Sequence, residues 1–148
     1  MFSLETIMTT NVVTIGPTDS VAEARRLMSE NRFSHLPVVD GEGRLVGLVT
    51  LTDVLAATDS SLREDGGIPP EEIRIEQMMV TDVATIDERA SLRQAALYIE
   101  KHRIGCLPVV TDGKLVGIVT DTDFVGVAIN LLEQLENDSP FDDSPFDD

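Results

Sequence analysis

The chain contains a single cysteine, Cys106, among its 148 residues. One cysteine excludes an intramolecular disulfide, and this fits a protein that folds in a reducing compartment. The chain also lacks the run of roughly twenty apolar residues that a membrane-spanning helix requires. Its first residues, MFSLETIMTT, have neither a basic leader nor a long apolar stretch and do not resemble a signal peptide. We therefore expect a soluble, cytoplasmic protein that does not bind a membrane.

Catalytic patterns and positive charge are scarce as well. We find no glycine-rich phosphate loop, no His/Cys pattern with metal-ligand spacing and no candidate catalytic triad, so we expect no enzyme activity, no metal and no required cofactor. The 27 acidic residues outnumber the 11 lysines and arginines, which gives a formal net charge of −16. This balance argues against nucleic-acid binding, which depends on clustered positive charge. A small phosphorylated ligand stays compatible, because charges are screened beyond roughly 8 Å at physiological salt.

What the chain does contain is a duplication. The segment LPVVDGEGRLVGLVTLTD at 36–53 returns as LPVVTDGKLVGIVTDTD at 107–123, and MTTNVVTI at 8–15 matches MVTDVATI at 79–86. Across Leu45–Asp53 and Leu115–Asp123, seven of nine aligned positions are identical. A duplicated unit of about fifty residues predicts two similar surfaces around a pseudo-twofold axis, with ligand sites between the copies.

Each copy has the pattern of a strand, a helix, two strands and a helix. Short β-branched runs at 12–15 and 83–86 predict buried strands, and Ser20–Glu23 and Ser91–Gln94 fit capping boxes at the start of helices with apolar core stripes. Glycine-containing turns predict two hairpins, which join 36–40 to 44–50 and 107–111 to 114–120. The last helix, predicted at 124–135, is longer and more apolar than its counterpart at 54–57. We expect some of its surface to face a partner.

The composition divides the chain into four segments. Repeat 1 covers residues 1–57, a linker covers 58–74, repeat 2 covers 75–136 and an acidic tail covers 137–148. The linker sequence SSLREDGGIPPEE is rich in turn-forming and charged residues. The tail contains the pentapeptide DSPFD twice, and its acidic, proline-containing composition makes it a poor core former. A solubilising tail is the favoured interpretation, and docking through its two phenylalanines is the alternative.

The repeated string Gly-x-Val-Thr-x-Thr-Asp, at 47–53 and 117–123, carries the clearest chemistry. We expect a strand to end in hydroxyl residues and a helix to begin at the aspartate. A helix N-terminus suits a phosphate, and an aspartate can accept two hydrogen bonds from the vicinal hydroxyls of a ribose. Thr-Asp before an apolar run is also an ordinary N-cap, which is the favoured interpretation for one copy alone. Repetition of the whole string favours two nucleotide sites, at Thr50, Thr52 and Asp53 and at Thr120, Thr122 and Asp123.

With these strings, the two Leu-Pro-Val-Val strands and the MTTNVVTI opening, the chain resembles the cystathionine-beta-synthase (CBS) domain family. The resemblance covers Ile7 to about Ala128 and has the form of a tandem pair, or Bateman module. It implies an α+β fold of two βαββα units packed sheet to sheet with pseudo-twofold symmetry. It also implies two clefts for adenosyl ligands such as AMP, ATP, NAD or S-adenosylmethionine. Such modules usually act as regulatory sensors and often form homodimers.

The resemblance assigns roles to individual positions. It places Asp53 and Asp123 at ribose hydroxyls, with the four threonines named above near the ribose and phosphate. The remaining positions that it implies are the main chain of Val12–Val13 and Val83–Ala84 at the adenine edge, and Ser34 with His35 and Gly105 with Cys106 at the corner that approaches the phosphate or base. Because a histidine donates to phosphate and a cysteine barely does, we expect the two clefts to differ in affinity. Arg32 and Arg103 are equally plausible as ligand contacts and as surface residues.

The resemblance leads us to expect a non-catalytic sensor of adenine nucleotides that signals to an unidentified regulated protein by conformational change. The alternatives are a ligand-free dimerising scaffold and an acetoin-utilisation-type accessory protein, the latter supported by chain size alone. Asp121 suggests a metal site at first sight. We set it aside because strand alternation sends Asp121 and Thr122 to opposite faces, and because Leu51 occupies the matching position.

Overall fold

The structure is a computed structural model that describes residues 3–61 and 67–137. The acidic repeat predicted to form the tail, residues 138–148, lies outside the described residues. The helices are α1 (Leu4–Ile7), α2 (Val21–Asn31), α3 (Leu51–Ser61), α4 (Leu92–His102) and α5 (Asp121–Asn137), with 3-10 turns at Pro70–Glu72 and Ile75–Gln77. The strands are β1 (His35–Val39), β2 (Leu45–Thr50), β3 (Ile86–Asp87), β4 (Cys106–Thr111) and β5 (Lys114–Thr120).

Each repeat contains one antiparallel hairpin packed with helices, which confirms the predicted α+β class with two repeats. Strand β1 pairs with β2, and β4 pairs with β5, while β3 adds to β4 in parallel. The register sets His35 opposite Thr50 in repeat 1 and Cys106 opposite Thr120 in repeat 2. Each hairpin also shifts register at an equivalent point, after Val38 and after Val109. The duplication in sequence is therefore a duplication in structure.

The predicted first strand of each repeat is mostly absent from the described residues. In repeat 1 only Ile15 pairs, through a parallel bridge to Val38, and in repeat 2 pairing begins at Ile86. The predicted first strands were therefore too long, because a strand also needs a hydrogen-bonding neighbour along its length. No amide of residues 12–14 donates a backbone hydrogen bond to the described part of the chain. These main-chain groups are consequently available to a ligand.

The two cores are each completed by the opening segment of the other repeat. Ile75, which follows the linker, is fully buried in the core of α2, β1, β2 and α3. Leu4, near the N-terminus, is fully buried in the core that α4, β4 and β5 form. The same exchange appears in the backbone, where Thr9 pairs with Ile118 and Val80 pairs with Leu48. These reciprocal contacts relate the repeats as a pseudo-twofold axis would. The division of the chain into four segments stays a prediction.

Both helices that follow the hairpins begin two residues before the aspartate at which the repeated string predicted their start. Helix α3 starts at Leu51 and α5 at Asp121, so Asp53 and Asp123 lie within the first helical turn instead of at its start. The hydroxyls of Thr50 and Thr120 take the capping role, since each accepts a hydrogen bond from the aspartate amide three residues later. Helix α3 also continues to Ser61, into the predicted linker. None of the described helices combines the length and apolarity needed to cross a membrane.

The two predicted capping boxes have different outcomes. Ser91 and Gln94 form a complete box, because the Ser91 hydroxyl accepts from the Gln94 amide and the Gln94 side chain accepts from the Ser91 amide. Ser20 accepts from the Glu23 amide in the same way. The Glu23 carboxylate, however, binds the Arg26 guanidinium on the next turn and does not complete the box.

Candidate functional site

A cleft of about 550 Å³ lies between the two repeats. One wall comes from repeat 1, from the opening segment Asn11–Val13 and the corner Arg32–His35 that precedes β1. The other wall comes from repeat 2, chiefly from the junction of β5 and α5 at Thr120–Asp123. The volume falls within the range of roughly 300–1,000 Å³ that is usual for small-molecule sites.

Eight of the thirteen predicted site residues line this one cleft. The other five occupy equivalent positions in the opposite repeats, about seventy residues away in sequence, and do not line it. The cleft thus combines the opening and corner of one repeat with the strand-helix junction of the other. The residues in it are Val12, Val13, Ser34, His35, Gly105, Thr120, Thr122 and Asp123, and those outside it are Thr50, Thr52, Asp53, Val83 and Ala84.

Asp123 and Thr120 cap the start of α5 reciprocally. The Asp123 Oδ2 accepts a 2.8 Å hydrogen bond from the Thr120 amide, and the Thr120 Oγ1 accepts a 3.3 Å bond from the Asp123 amide. This is the capping interpretation realised in repeat 2. A carboxylate has about four acceptor positions on its two oxygens, so Oδ1 and one lone pair of Oδ2 stay available to ribose hydroxyls.

The equivalent aspartate in repeat 1 is arranged differently. The Asp53 amide donates to the Thr50 Oγ1 at 3.2 Å, as in repeat 2. Its carboxylate, in contrast, accepts no hydrogen bond from any residue in the described part of the chain. The Asp123 carboxylate therefore helps to cap its helix, whereas the Asp53 carboxylate does not. The nearly identical sequences of the two strings do not indicate this difference.

His35 stands at the corner before β1 with its ring half-buried. Its Nδ1 lies 3.3 Å from the Ser34 hydroxyl. Burial lowers the pKa of His35, and the negative charge of Asp121 opposes that shift only in part. The imidazole is consequently neutral near pH 7, and it can donate one N–H and accept at its other nitrogen.

Asp121, which the sequence interpretation set aside as a metal ligand, lines the cleft. That interpretation assumed strand alternation, but Asp121 is the first residue of helix α5, where alternation does not apply. Its Oδ1 accepts a 2.8 Å hydrogen bond from the Thr122 amide. A Cβ at Gly105 would lie 3.6 Å from Asp121 Oδ2, which is an ordinary van der Waals distance, so the Gly105 corner lies next to this carboxylate. Within residues 3–61 and 67–137, no group of three or more His, Cys, Asp or Glu could hold a metal ion.

Arg32 supplies the positive charge of the cleft. It ends α2 in the left-handed conformation, with φ 59° and ψ 41°, which is common at helix C-termini. Its guanidinium forms no ion pair with any described residue. Arg103 ends α4 in the same conformation but does not line this cleft. Between the two interpretations of these arginines, the geometry favours a ligand contact for Arg32.

Cys106 lines the cleft, but its side chain is almost completely buried in the wall. Its side chain is only 5% exposed, and burial together with the charges of Asp121 and Asp123 raises the pKa of the thiol to about 12. A thiol with so high a pKa is not a nucleophile near pH 7. The structure agrees with the interpretation of Cys106 as a small apolar filler.

Sequence reasoning missed several cleft residues because their positions depend on contact between the repeats. Thr9 lines the cleft next to Ile118, and their backbones exchange hydrogen bonds of 2.9 and 3.0 Å. Phe33 and Pro37 flank the corner at His35. The matched openings of the repeats predict a shared axis, but they do not indicate which opening meets which hairpin.

The CBS domain family model matches residues 4–60 and 75–130. The chain therefore belongs to the CBS domain family and carries two copies of the domain in tandem. The first curated relatives that it matches are longer proteins, of which it spans 22% to 40%. One is a homoserine O-acetyltransferase of Methanocorpusculum labreanum, 37% identical over 119 residues, which cover 80% of this chain and 22% of that protein.

Solved structures match over nearly their whole length. A putative acetoin utilization protein, AcuB from Vibrio cholerae, is 41% identical with a TM-score of 0.79, and the match covers 95% of this chain and 99% of that one. CBSX2 in complex with AMP is 28% identical with a TM-score of 0.75, covering 89% and 99%. The CBS domain pair of MJ0100, in complex with 5′-methylthioadenosine and S-adenosyl-L-methionine, is 27% identical with a TM-score of 0.74, covering 88% and 98%.

Proposed function

We propose that this protein is a non-catalytic regulatory module that binds an adenosine-containing ligand in the cleft between its two CBS repeats. The observation that carries the proposal is the meeting of three complementary groups in one cleft. These are the unpaired main chain at Val12–Val13, the neutral imidazole of His35 and the partly available carboxylate of Asp123. The adenosyl ligands held by CBSX2 and by the MJ0100 pair support the same ligand class.

Each part of an adenosyl ligand has a matching group. The adenine edge pairs with the main chain of Val12–Val13, since an adenine offers both donors and acceptors. The ribose hydroxyls donate to the acceptor positions that the Asp123 carboxylate retains. The 5′ substituent lies near the first turn of α5, where Arg32 and His35 can donate to a phosphate. Because Asp121 and Asp123 flank the same region, a single phosphate or an uncharged or cationic 5′ group suits it better than a polyphosphate.

A second, weaker site forms part of the proposal. It uses the five predicted residues outside the described cleft together with Gly105 and Cys106, which also line the described cleft and hold in repeat 2 the position that Ser34 and His35 hold in repeat 1. A buried thiol donates poorly, so this corner offers less to a ligand. We propose that the two sites bind the same class of ligand with different affinity.

Signalling follows from the position of the cleft between repeats. A ligand that contacts both walls stabilises the arrangement of the two repeats in which each wall lies within contact distance of the ligand. It can shift that equilibrium only by the difference in its affinity for the two arrangements. We propose that the protein acts in the cytoplasm as a homodimer, without an enzyme activity of its own, and that an unidentified regulated protein responds to the shift.

The test combines a thermal-shift screen with calorimetry. The ligands are AMP, ADP, ATP, NAD and S-adenosylmethionine, and a hundredfold excess over Kd should stabilise the fold by about 2.7 kcal/mol. Asp123→Asn should weaken the tighter site about 10- to 100-fold, because it removes charged acceptors for the ribose. The asparagine oxygen can still cap α5, so a large loss of stability is not expected from this variant.

Asp53→Asn is the matched control, because it makes the same change at the equivalent position outside the described cleft. It should leave the tighter site within about twofold and weaken only the second site. Binding of none of the five ligands by the folded wild type would refute the proposal. Equal weakening of the tighter site by both variants would refute its assignment to the described cleft.

A ligand-free dimerising scaffold is the second candidate function. The specific observation in its favour is the hydrogen bond from the Thr120 amide to Asp123, which gives that carboxylate a structural role without a ligand. The similarity to AcuB over nearly both chains supports the other alternative, an accessory protein of the acetoin-utilisation type, which is a subtype of the sensor. A wild-type dimer that binds none of the adenosyl ligands would favour the scaffold.

A further inference from the structure

A groove of about 340 Å³ lies between α2 and the first turns of α3, beside the cleft. Arg25 and Met28 are three residues apart on one face of α2, and Arg32 follows at the end of that helix. Leu51 and Leu55 are four residues apart on α3. The surface therefore combines an apolar floor with two arginines that are about 10 Å apart along the helix. We call it the α2–α3 groove, and its apolar and charged lining residues are Arg25, Met28, Arg32, Phe33, Leu51 and Leu55.

The α2–α3 groove presents positive charge next to uncovered apolar surface. Neither Arg25 nor Arg32 forms an ion pair with any described residue. Phe33 and Leu55 are each 42% exposed. Because the formal net charge of the chain is −16, two unpaired arginines beside exposed apolar side chains are a local exception. Such a surface fits a segment that is both acidic and apolar.

The equivalent surface of repeat 2 has the opposite charge. One of the two arginines is kept there, the other is replaced by alanine, and two carboxylates are added. An acidic segment therefore fits the groove of repeat 1 and is repelled by the equivalent surface of repeat 2. Ala96, Glu100 and Asp121 stand where repeat 1 has Arg25, Ser29 and Leu51, and Arg103 corresponds to Arg32.

The chain itself contains a segment of matching composition. Residues 138–148, DSPFDDSPFDD, contain five aspartates, two phenylalanines and no lysine or arginine. Each phenylalanine has one aspartate three residues before it and another directly after it. Four residues span at most about 14 Å, so such a pair of aspartates can meet two arginines about 10 Å apart with the phenylalanine between them.

The length of the segment decides which phenylalanine reaches the groove. Asp121, the first residue of α5, lines the cleft together with Arg32, which also lines the groove, so the groove lies near the start of α5. The 17 residues of α5 carry the chain about 25 Å away, to Asn137. Nine further residues, to Phe146, span up to about 30 Å, whereas the four residues to Phe141 span only about 14 Å. Phe146 is therefore within reach of the groove and Phe141 is not.

We propose that residues 138–148 dock in the α2–α3 groove of their own chain, with Phe146 among the apolar side chains and with Asp143 and Asp147 paired with the two arginines. Exposed ion pairs are individually weak. Tethering compensates for this, because it gives the segment an effective concentration in the millimolar range. The docked segment should be released by high salt, which screens its charge pairs.

Docking has a consequence for the ligand site, because Arg32 lines both the groove and the cleft. An aspartate paired with Arg32 occupies the cation that a phosphate in the cleft would use. This consequence rests on the proposed function, and it makes the segment a competitor of a ligand that carries a phosphate. The docking itself does not depend on a ligand.

Tryptophan fluorescence tests the docking, because the chain contains no tryptophan of its own. Phe146→Trp places the reporter where the groove should bury it, and Phe141→Trp is the matched control in the same DSPFD context. Without ligand, acrylamide should quench Phe146→Trp about threefold less than Phe141→Trp, as for a side chain docked in about two thirds of the molecules. Equal quenching would overturn the proposal.

Neutral substitutions on α2 test the charge pairing. Arg25→Gln removes one arginine of the groove, and Arg26→Gln is the matched control, because Arg26 is already paired with Glu23 and Glu30. In Phe146→Trp chains, Arg25→Gln and high salt should each raise the quenching, since both weaken the ion pairs of the segment. Arg26→Gln should leave the quenching unchanged. Equal effects of the two substitutions would count against the assigned groove and overturn the proposal.

A mixing experiment tests whether the segment docks on its own chain. One chain carries Phe146→Trp together with Leu55→Asp, which places a repelling carboxylate in its groove, and the other has an intact groove but lacks residues 138–148. Circular dichroism checks that both chains fold, as expected because Leu55 is exposed. Docking within the chain predicts that an excess of the second chain leaves the quenching unchanged. Protection that appears on mixing would show docking between chains and overturn the proposal.

Calorimetry measures the competition with the ligand. Removal of residues 138–148 should tighten the binding of AMP about threefold, which is the gain expected when a block on about two thirds of the molecules is lifted. The affinity for adenosine, which has no phosphate, should not change. A wild type that binds neither compound would refute the proposed function, whereas the fluorescence result, obtained without ligand, would stand. An unchanged affinity for AMP would overturn the competition at Arg32.

Discussion

Gly117 of one repeat lies directly against Met8 of the other, because a Cβ built at Gly117 would stand 2.7 Å from the Met8 sulfur and 3.1 Å from the carbonyl oxygen of Thr9. Gly47 stands in the same relation to Met79, with a built Cβ 2.5 Å from its sulfur. Both glycines allow the opening segment of one repeat to cross the hairpin of the other. The close approach holds the two walls of the cleft together.

Alanine at these glycines should therefore destabilise the fold. Gly117→Ala and Gly47→Ala should each lower the free energy of unfolding by about 1–3 kcal/mol, which is the usual cost of overpacking. The measurement is urea denaturation. Gly126→Ala is the control, because no atom lies within 4 Å of its built Cβ and alanine is the better helix former, so this variant should gain about 0.5–1 kcal/mol. A neutral result at both Gly47 and Gly117 would contradict the tight crossing.

The capping box at the start of α4 provides a second prediction. Ser91→Ala removes the oxygen that accepts from the Gln94 amide at 3.1 Å and should cost about 1 kcal/mol of folding stability. Ser20→Ala removes the corresponding bond at α2 and should cost a similar amount. Thermal and urea unfolding measure both. Restoration of stability in Ser91→Asp, which is also a good cap, separates the loss of the cap from a packing defect.

The thiol of Cys106 should be nearly inert in the folded protein. With a pKa of about 12, against roughly 9 for a free thiol, its thiolate fraction at pH 8 is lower by about a thousandfold. Alkylation by iodoacetamide should slow by at least that factor relative to the urea-unfolded chain. Mass spectrometry of a quenched time course measures the ratio. Rapid alkylation of the native protein would mean that the cleft wall opens readily.

His35 should make the free energy of unfolding fall as the pH drops below about 6.5. Burial lowers its pKa below the ordinary value of 6.5, so the unfolded chain binds the proton more readily than the folded one. Stability is then complete above pH 6.5 and falls as the pH drops through that value toward the lowered pKa of the folded state. Urea midpoints across this range measure the slope. His35→Gln should flatten it, and an unchanged slope would rule out His35 as its source.

The charge of Asp121 modifies the same titration. Because this carboxylate raises the pKa of His35 and opposes the effect of burial, Asp121→Asn should lower that pKa further. Proton NMR of the imidazole resonances follows the titration directly, and His35→Gln identifies which resonance belongs to His35. A rise of the pKa in Asp121→Asn would contradict the proximity of the two groups in the cleft.

The fold was largely predictable because its signals are local and occur twice. Strand β5, Lys114–Thr120, was predicted to the residue, and the Ser91–Gln94 box is complete as its sequence indicates. Helix starts were misplaced because the Thr-x-Thr-Asp string offers more than one capping residue within a turn, and in repeat 2 both Thr120 and Asp123 take part in the cap. Only tertiary packing decides between such neighbours.

The residues of the site were largely predictable from the sequence, but the segments of the two repeats that meet in one cleft were not. The string ending at Asp123 and the corner at His35 were both identified, yet their meeting in one cleft depends on the contact between Thr9 and Ile118. The difference in hydrogen bonding between Asp53 and Asp123 could not be predicted either, because nearly identical strings precede both. Asp121 was set aside because a strand was expected where a helix begins.

Leu4 completes the core of the second repeat and Ile75 completes the core of the first. A polypeptide that contained either repeat with only its own opening segment would have a cavity in its hydrophobic core. The two repeats, supplied as separate polypeptides, could still fill each other's cavities and together form the complete fold. The ancestral single unit, before its duplication, would on the same reasoning have had to associate with itself in order to fold.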